Sequence, residues 1–229
     1  AARIVKACED AEVMLAVNFH SRFMPCFIEA RRVIASGEIG EPLLAQFEAS
    51  PGARTGSRDA TWRVDPALAG LGTTFSIGVH AYDILRYLLD SEVASVSTFF
   101  DTPRGVTEET SMSMFRFASG VIAQVSVHEK APHPHNDFVI QCSKGRITGR
   151  GLTRSRSGGD MHVLGADGKT QVIAYPPVNA HAACVAAFST ALIERRPFSP
   201  SGIDGLRSAE LTDAMARSAW DGVHVRLAG

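Results

Sequence analysis

Histidine is the one side chain whose ordinary charge change falls near neutral pH, so a His with polar neighbours at helical spacing is the first place to look for proton exchange. Within the stretch Thr74 to Leu89, Ser76, His80, Asp83 and Tyr87 recur at i, i+4, i+7 and i+11, which places them in one row of a helix. A serine one turn before His80 could share a hydrogen bond with the imidazole. The same spacing also suits a surface histidine capped by Asp83 or Tyr87. Trp62 and Arg63 form a second pair, because an indole beside a guanidinium can stack on a planar ring and clamp a phosphate or carboxylate. A tryptophan plugging the core is the plainer alternative. Asn18-Phe19-His20-Ser21-Arg22 leaves an apolar run at the end where open α/β sheets place ligands, although a polar strand exit has the same composition. His128-Glu129 and His133-Pro134-His135 lack the helical or paired-strand spacing of metal ligands and read as a solvated loop that could line a pocket, so no metal site is expected.

The elements that must carry these residues follow from periodicity. Ile4, Val5, Cys8 and Ala11 mark a helix, and Val13 to Val17 reads as a buried parallel strand. Pro25 opens a helix that stops at Gly37. Leu43 to Ala49 alternates as a strand does. The stretch Pro51 to Gly72 has no period and is a long loop, and the helix bearing His80 follows it. Strands are predicted at Val93–Phe100, Thr110–Phe117, Val121–His128, Phe138–Cys142, Met161–Leu164 and Val172–Tyr175, with Ser119-Gly120 and Asp167-Gly168 as turns. Lys144 to Arg146 and Arg150 to Arg156 read as a basic, solvated hairpin. Helices at Ala180–Arg195 and Gly205–Ala219 and a strand at Val223–Leu227 close the chain. The expected fold is α+β: a large, open, mostly antiparallel sheet with helices on one face, preceded by a helix and strand of another domain. On the last long strand, Val121, Ala123, Val125 and Val127 face one way and the mixed set Ile122, Gln124, Ser126 and His128 the other. That second face is a candidate interface for a homo-oligomer.

Composition narrows the function class. Lys and Arg number 23 against 24 Asp and Glu, so there is no cationic surplus to neutralise nucleic-acid phosphates or an anionic membrane. No apolar stretch reaches the length of a membrane span. Cys8, Cys26, Cys142 and Cys184 lie far apart without C-x-x-C spacing, which suits reduced thiols and a cytoplasmic setting. The chain opens at Ala1 without Met, directly in helical periodicity, and is expected to begin inside a larger protein. There is no G-x-G-x-x-G, P-loop, G-x-S-x-G or H-E-x-x-H.

Three stretches taken together resemble the Gfo/Idh/MocA oxidoreductases: Asn18 to Arg22 followed by Pro25; Ile34-Ala35-Ser36-Gly37-Glu38-Ile39-Gly40-Glu41-Pro42; and Trp62-Arg63-Val64-Asp65-Pro66 running through Gly70 and Gly72 to Gly78-Val79-His80-Ala81-Tyr82-Asp83. The likeness spans nearly the whole chain and is nearest to the family's sugar-ketone reductases. It implies that residues 1–19 are the tail of a Rossmann domain and that 20–229 form the substrate and oligomerisation domain. It also implies NAD or NADP as cofactor and a sugar, cyclitol or related polyol or ketone as substrate. By resemblance His80 is the catalytic proton donor and acceptor, with Ser76 beside it where the family usually has Asp. Asn18, Arg22, Trp62 and Arg63 fall on the cofactor side, and His128 and His181 are expected at the substrate. The Gly-rich loop and the Glu-Lys-Pro segment of the family do not occur in the chain. Two other readings stay open: a non-catalytic sugar-binding or oligomerisation module without a dinucleotide site, and an NAD-dependent glycosidase of the same family.

Overall fold

The computed structural model describes residues 1–52, 62, 65–154 and 158–227. Helix α1 spans Ala2–Asp10 and buries none of its side chains. The apolar run Val13 to Val17 does not form the expected strand. It makes one antiparallel bridge, Ala16 to Ser201. A strand needs a neighbour along its length, and this run turns its side chains elsewhere: a Cβ on Gly202 would meet Leu15 at 2.5 Å, and one on Gly205 would meet Val17 at 2.6 Å. A 3-10 turn at His20–Phe23 leads into α2, Pro25–Ser36. Proline starts α2 because its missing N–H costs nothing in the first turn. Gly37 ends it at φ +72°, the left-handed cap that a side chain would strain.

Nine strands then build one sheet: β1 Pro42–Ala49, β2 Val93–Phe100, β3 Thr110–Phe117, β4 Ile122–His128, β5 Phe138–Cys142, β6 Arg146–Arg150, β7 Gly159–Leu164, β8 Thr170–Tyr175 and β9 Val225–Arg226. Their order is β8-β7-β6-β5-β1-β4-β3-β2-β9. All pairs are antiparallel except β1 with β4, where Ala45 lies beside Ala123 and Phe47 beside Val125. The basic segment read as a solvated hairpin contains β6. Its inner residue Ile147 is fully buried beside Ile140 of β5, while Arg146 and Arg150 point outward.

Period-two burial sorts the sheet into two faces. Ala45, Phe47, Phe115, Phe117, Ala123, Val125, Phe138 and Ile140 form the inner face. Phe27 of α2 packs on Phe47 and Phe138 with ring centroids 6.0 and 5.2 Å apart. The helices that cover this face are α2, α4 (Val79–Leu89) and α6 (Gly202–Asp221). Two further helices are the short α3, Pro66–Ala69, and α5, Ala180–Ile193. The opposite face leaves Phe99 75% and Met112 and Met114 each 47% exposed on neighbouring strands. No helix among the described residues is long and apolar enough to cross a membrane.

Candidate functional site

The helix predicted at Thr74 to Leu89 is present, but its first five residues, Thr74–Gly78, are wound as a π turn before α4 continues as an α-helix. A π turn takes more residues per revolution, so the row drawn through Ser76 and His80 on a 3.6 period slips here. Two local locks hold the start of this helix. The buried Glu108, from the segment between β2 and β3, accepts hydrogen bonds from the backbone N–H of Gly72 at 2.7 Å and Thr74 at 2.8 Å. A negative charge is favoured there because the first amides of a helix have no partner within it. Gly72 must lack a side chain, since a Cβ would stand 1.9 Å from the Glu108 carbonyl oxygen. Gly78 is required in the same way by Tyr82, whose hydroxyl would lie 2.3 Å from its Cβ.

His80 emerges one residue beyond Val79 and joins a cluster with two other imidazoles. The His20 ring, from the 3-10 turn, stands 4.5 Å from His80 at a 57° tilt. The His181 ring, from the first turn of α5, stacks on His20 at 3.7 Å and 19°. Phe19 meets His80 edge-on at 6.2 Å. The Nδ1 atoms of all three histidines are buried and have no hydrogen-bond partner among the described residues. Burial, and then the proximity of His181, pushes His80 from its usual 6.5 down to about 4. Burial and the nearby His80 and His181 push His20 down to about 4 as well. Both rings are therefore neutral at pH 7. His20 and His80 line a hollow of about 140 Å³ together with Ser21, Phe47, Ser50 and Ile77, and Thr153 and Arg154 approach from the segment after β6.

Of the residues singled out in the sequence, His80 and His181 are brought together by His20, and Asn18 lies exposed two residues before His20. Ser76 does not pair with the imidazole. Its hydroxyl donates to the Gly72 carbonyl at 2.9 Å, a back-bond to the carbonyl that its own backbone N–H also reaches at 3.0 Å. Arg22 is not free for a cofactor. Its Nε and Nη2 grip the Asp83 carboxylate at 2.8 and 2.6 Å, Nη2 also reaches Asp204 at 2.7 Å, and Nη1 donates to Ser199 at 2.9 Å. Burial alone would lower the Arg22 pKa, but hydrogen bonds and charge from Asp83 and Asp204 raise it. Asp83 is thus committed to Arg22 and does not cap His80. His128 belongs to the outer face of β4, opposite the helix-covered side, where its Nε2 lies 3.5 Å from Glu48. Strand alternation accounts for this separation, since Val127 and His128 must point to opposite faces. Trp62 is 51% exposed and is absent from the described lining of the hollow, and Arg63 lies outside the described residues. Among the described residues no cluster of His, Cys, Asp or Glu could hold a metal ion. The residue that sequence reasoning passed over is His20. It stood in the quoted Asn18 to Arg22 stretch, but nothing in its spacing told which of those side chains turns toward α4.

Comparison with known proteins gives the same picture at the level of family. Residues 27–148 match the model of the GFO/IDH/MocA C-terminal domain. A 1,5-anhydro-D-fructose reductase of Ensifer adhaerens is 29% identical over 228 residues, covering 97% of this chain and 67% of its own. An inositol 2-dehydrogenase of Rhizobium meliloti is 27% identical, covering 98% of this chain and 68% of its own. An aldose-aldose oxidoreductase of Caulobacter crescentus, solved with glycerol, superposes with a TM-score of 0.85 at 25% identity, covering 97% of this chain and 67% of that one. With more than half of its length matched by one family model and the open sheet and His80 helix in place, the chain belongs to the Gfo/Idh/MocA family of oxidoreductases.

Proposed function

We propose that this chain supplies the substrate half of an NAD(P)-dependent oxidoreductase that interconverts C–OH and C=O on a sugar, cyclitol or related polyol, and that His80 exchanges the substrate proton. One observation carries the reading: His80 lines a hollow with its inner nitrogen enclosed and unpartnered, so the rest of the ring is what a ligand meets. The hollow is smaller than the roughly 300–1,000 Å³ that encloses a drug-sized ligand. Its size and its polar rim of His20, Ser21, Ser50 and Thr153 over apolar Phe47 and Ile77 suit one small polyhydroxyl molecule. The relatives described above, named for an anhydro sugar, an inositol and aldoses, support that substrate class.

The same geometry fits the reactive end of a nicotinamide nucleotide and not the whole of one. His20 and His80 keep that edge of the hollow uncharged near neutral pH, which suits hydride transfer, but the sequence has no glycine-rich loop to cradle a pyrophosphate. When bound, NAD or NADP would supply the place the hydride goes to or comes from. The chain's own part is the proton. In oxidation the neutral His80 accepts the hydroxyl proton while the carbon becomes a carbonyl, and in reduction the imidazolium returns it. Asn18, exposed two residues before His20, and the exposed Trp62 are the residues we assign to the nicotinamide side, with Arg63 beside Trp62 in sequence.

Residues 1–19 read as part of the dinucleotide domain and 20–229 as the substrate domain. The unburied α1, with Ile4 exposed, supports a missing neighbour on that side. The outer sheet face, with Phe99, Met112 and Met114 side by side, reads as the contact between two copies of a cytoplasmic homo-oligomer. Phe99→Lys should lower the mass measured by light scattering, and an unchanged mass would remove this face from the assembly. For the reaction, His80→Ala in the full-length enzyme should lower kcat about 10²- to 10⁴-fold on a sugar or polyol that the native enzyme turns over, the usual range for losing a positioned acid–base group. Undiminished turnover in that variant ends the assignment.

A further inference from the structure

We propose that His20 is the positioning residue for His80: its ring, clamped on His181 and tilted against His80, fixes the imidazole and closes its inner nitrogen from water, the place a hydrogen-bonded carboxylate would otherwise take. The inference rests on His80 being the proton-exchanging group. Three observations lead to it. Ser76 is spent on the Gly72 carbonyl and Asp83 on Arg22, so neither polar residue of the predicted row orients His80. Among the described residues the buried His80 Nδ1 has no partner, and ring packing is what holds it. The rings in contact with it are His20 at 4.5 Å and Phe19 at 6.2 Å, and His20 is itself held by the 3.7 Å stack on His181.

The surroundings explain the choice of an imidazole partner over a charged one. His20 faces His80 from the 3-10 turn, and His181 stands behind it on α5. Arg154 reaches the hollow from the segment after β6, and β1 offers Phe47 and Ala49. No carboxylate contributes to the shift of either His20 or His80. Two imidazolium ions a few ångströms apart in a buried place repel strongly, so the cluster admits few protons and keeps His80 unprotonated, ready to accept one from a hydroxyl group. A carboxylate partner would do the reverse and favour the imidazolium. The arrangement therefore leaves His80 free to accept a proton near neutral pH, and the imidazolium it forms gives that proton up readily.

The test is a histidine NMR titration of this chain, with the His80 signal assigned by its loss in His80→Asn. In the native chain the His80 midpoint is expected near 4. His20→Phe keeps an aromatic ring in place and should leave that midpoint low. His20→Ala admits water to the inner nitrogen and should raise it by about one unit or more. A native midpoint near 6.5, or an alanine variant with an unmoved midpoint, overturns the proposal. If the alanine variant does not fold, His20→Gln, which removes the aromatic stack while keeping bulk, is read in the same way. In the full-length enzyme the acid limb of the kcat profile should move up with the alanine variant and stay with the phenylalanine variant. At pH 7, kcat should fall about tenfold for alanine and KM change little, as expected when a reacting group loses its alignment. Should His80→Ala itself prove fully active, the functional reading fails, whereas an active His80 whose titration ignores His20 defeats this inference alone.

Discussion

Two polar clusters lie on the same helix within one turn of each other and are built in opposite ways. Around Asp83, charge is matched by charge: Arg22 holds the carboxylate with two nitrogens, Arg86 approaches it at 3.5 Å, and Asp204 answers Arg22 from α6. Around His80, three imidazoles meet without a counter-ion and leave their inner nitrogens unpartnered. The first cluster ties α4 to the 3-10 turn and to α6, and its charges answer one another inside the protein. The second keeps hydrogen-bonding capacity unspent beside a hollow. Buried polar atoms without partners cost stability, and in native proteins they concentrate where a ligand or reaction needs them. The contrast shows why two ionisable residues three positions apart, alike in sequence, differ in role: one helps to fix the helix, the other is what the helix presents.

The comparison can be pressed by substitution. Removing the Arg22 side chain with Arg22→Ala strands Asp83 in the interior, and unfolding by urea should show a loss of about 3–5 kcal/mol, the usual cost of breaking a buried pair from one side. A loss below about 1 kcal/mol would mean that water replaces the guanidinium and that the cluster is not a structural tie. At the other end of the scale, Ser76→Ala removes a back-bond on an exposed part of the helix. It should shift stability by less than about 1 kcal/mol and leave kcat within about twofold, because the hydroxyl serves Gly72 and not His80. A tenfold fall in kcat for Ser76→Ala would show that the hydroxyl turns to the imidazole during reaction, and would blur the division between the two clusters.

Much of the architecture was legible because each element carries its own signal. Pro25 and Gly37 bracket α2, and strict alternation marks β3 and β4. The parts that were not legible depend on partners distant in sequence. Val13 to Val17 has the composition of a central strand, yet composition does not say what lies alongside, and α6 takes up its side chains. β6 was hidden because its ends carry Arg146 and Arg150, while the one large apolar side chain between them, that of Ile147, is buried. In the site, His80 was legible from its motif. Ser76, Arg22 and His128 were assigned by position in a pattern, and each was displaced by something a pattern does not encode: a π turn, a competing carboxylate and the face of a strand. His20 was hidden for the reason His181 could only be guessed: ring stacking between separate elements leaves no periodic trace.

The carboxylate of Glu108 also joins two parts of the chain that would otherwise vary independently. Because it grips the amides of Gly72 and Thr74, the connection between β2 and β3 is tethered to the base of the helix that carries His80. Lengthening or shortening that connection would be transmitted along the backbone to His80, even though the connection contributes no side chain to the described lining of the hollow.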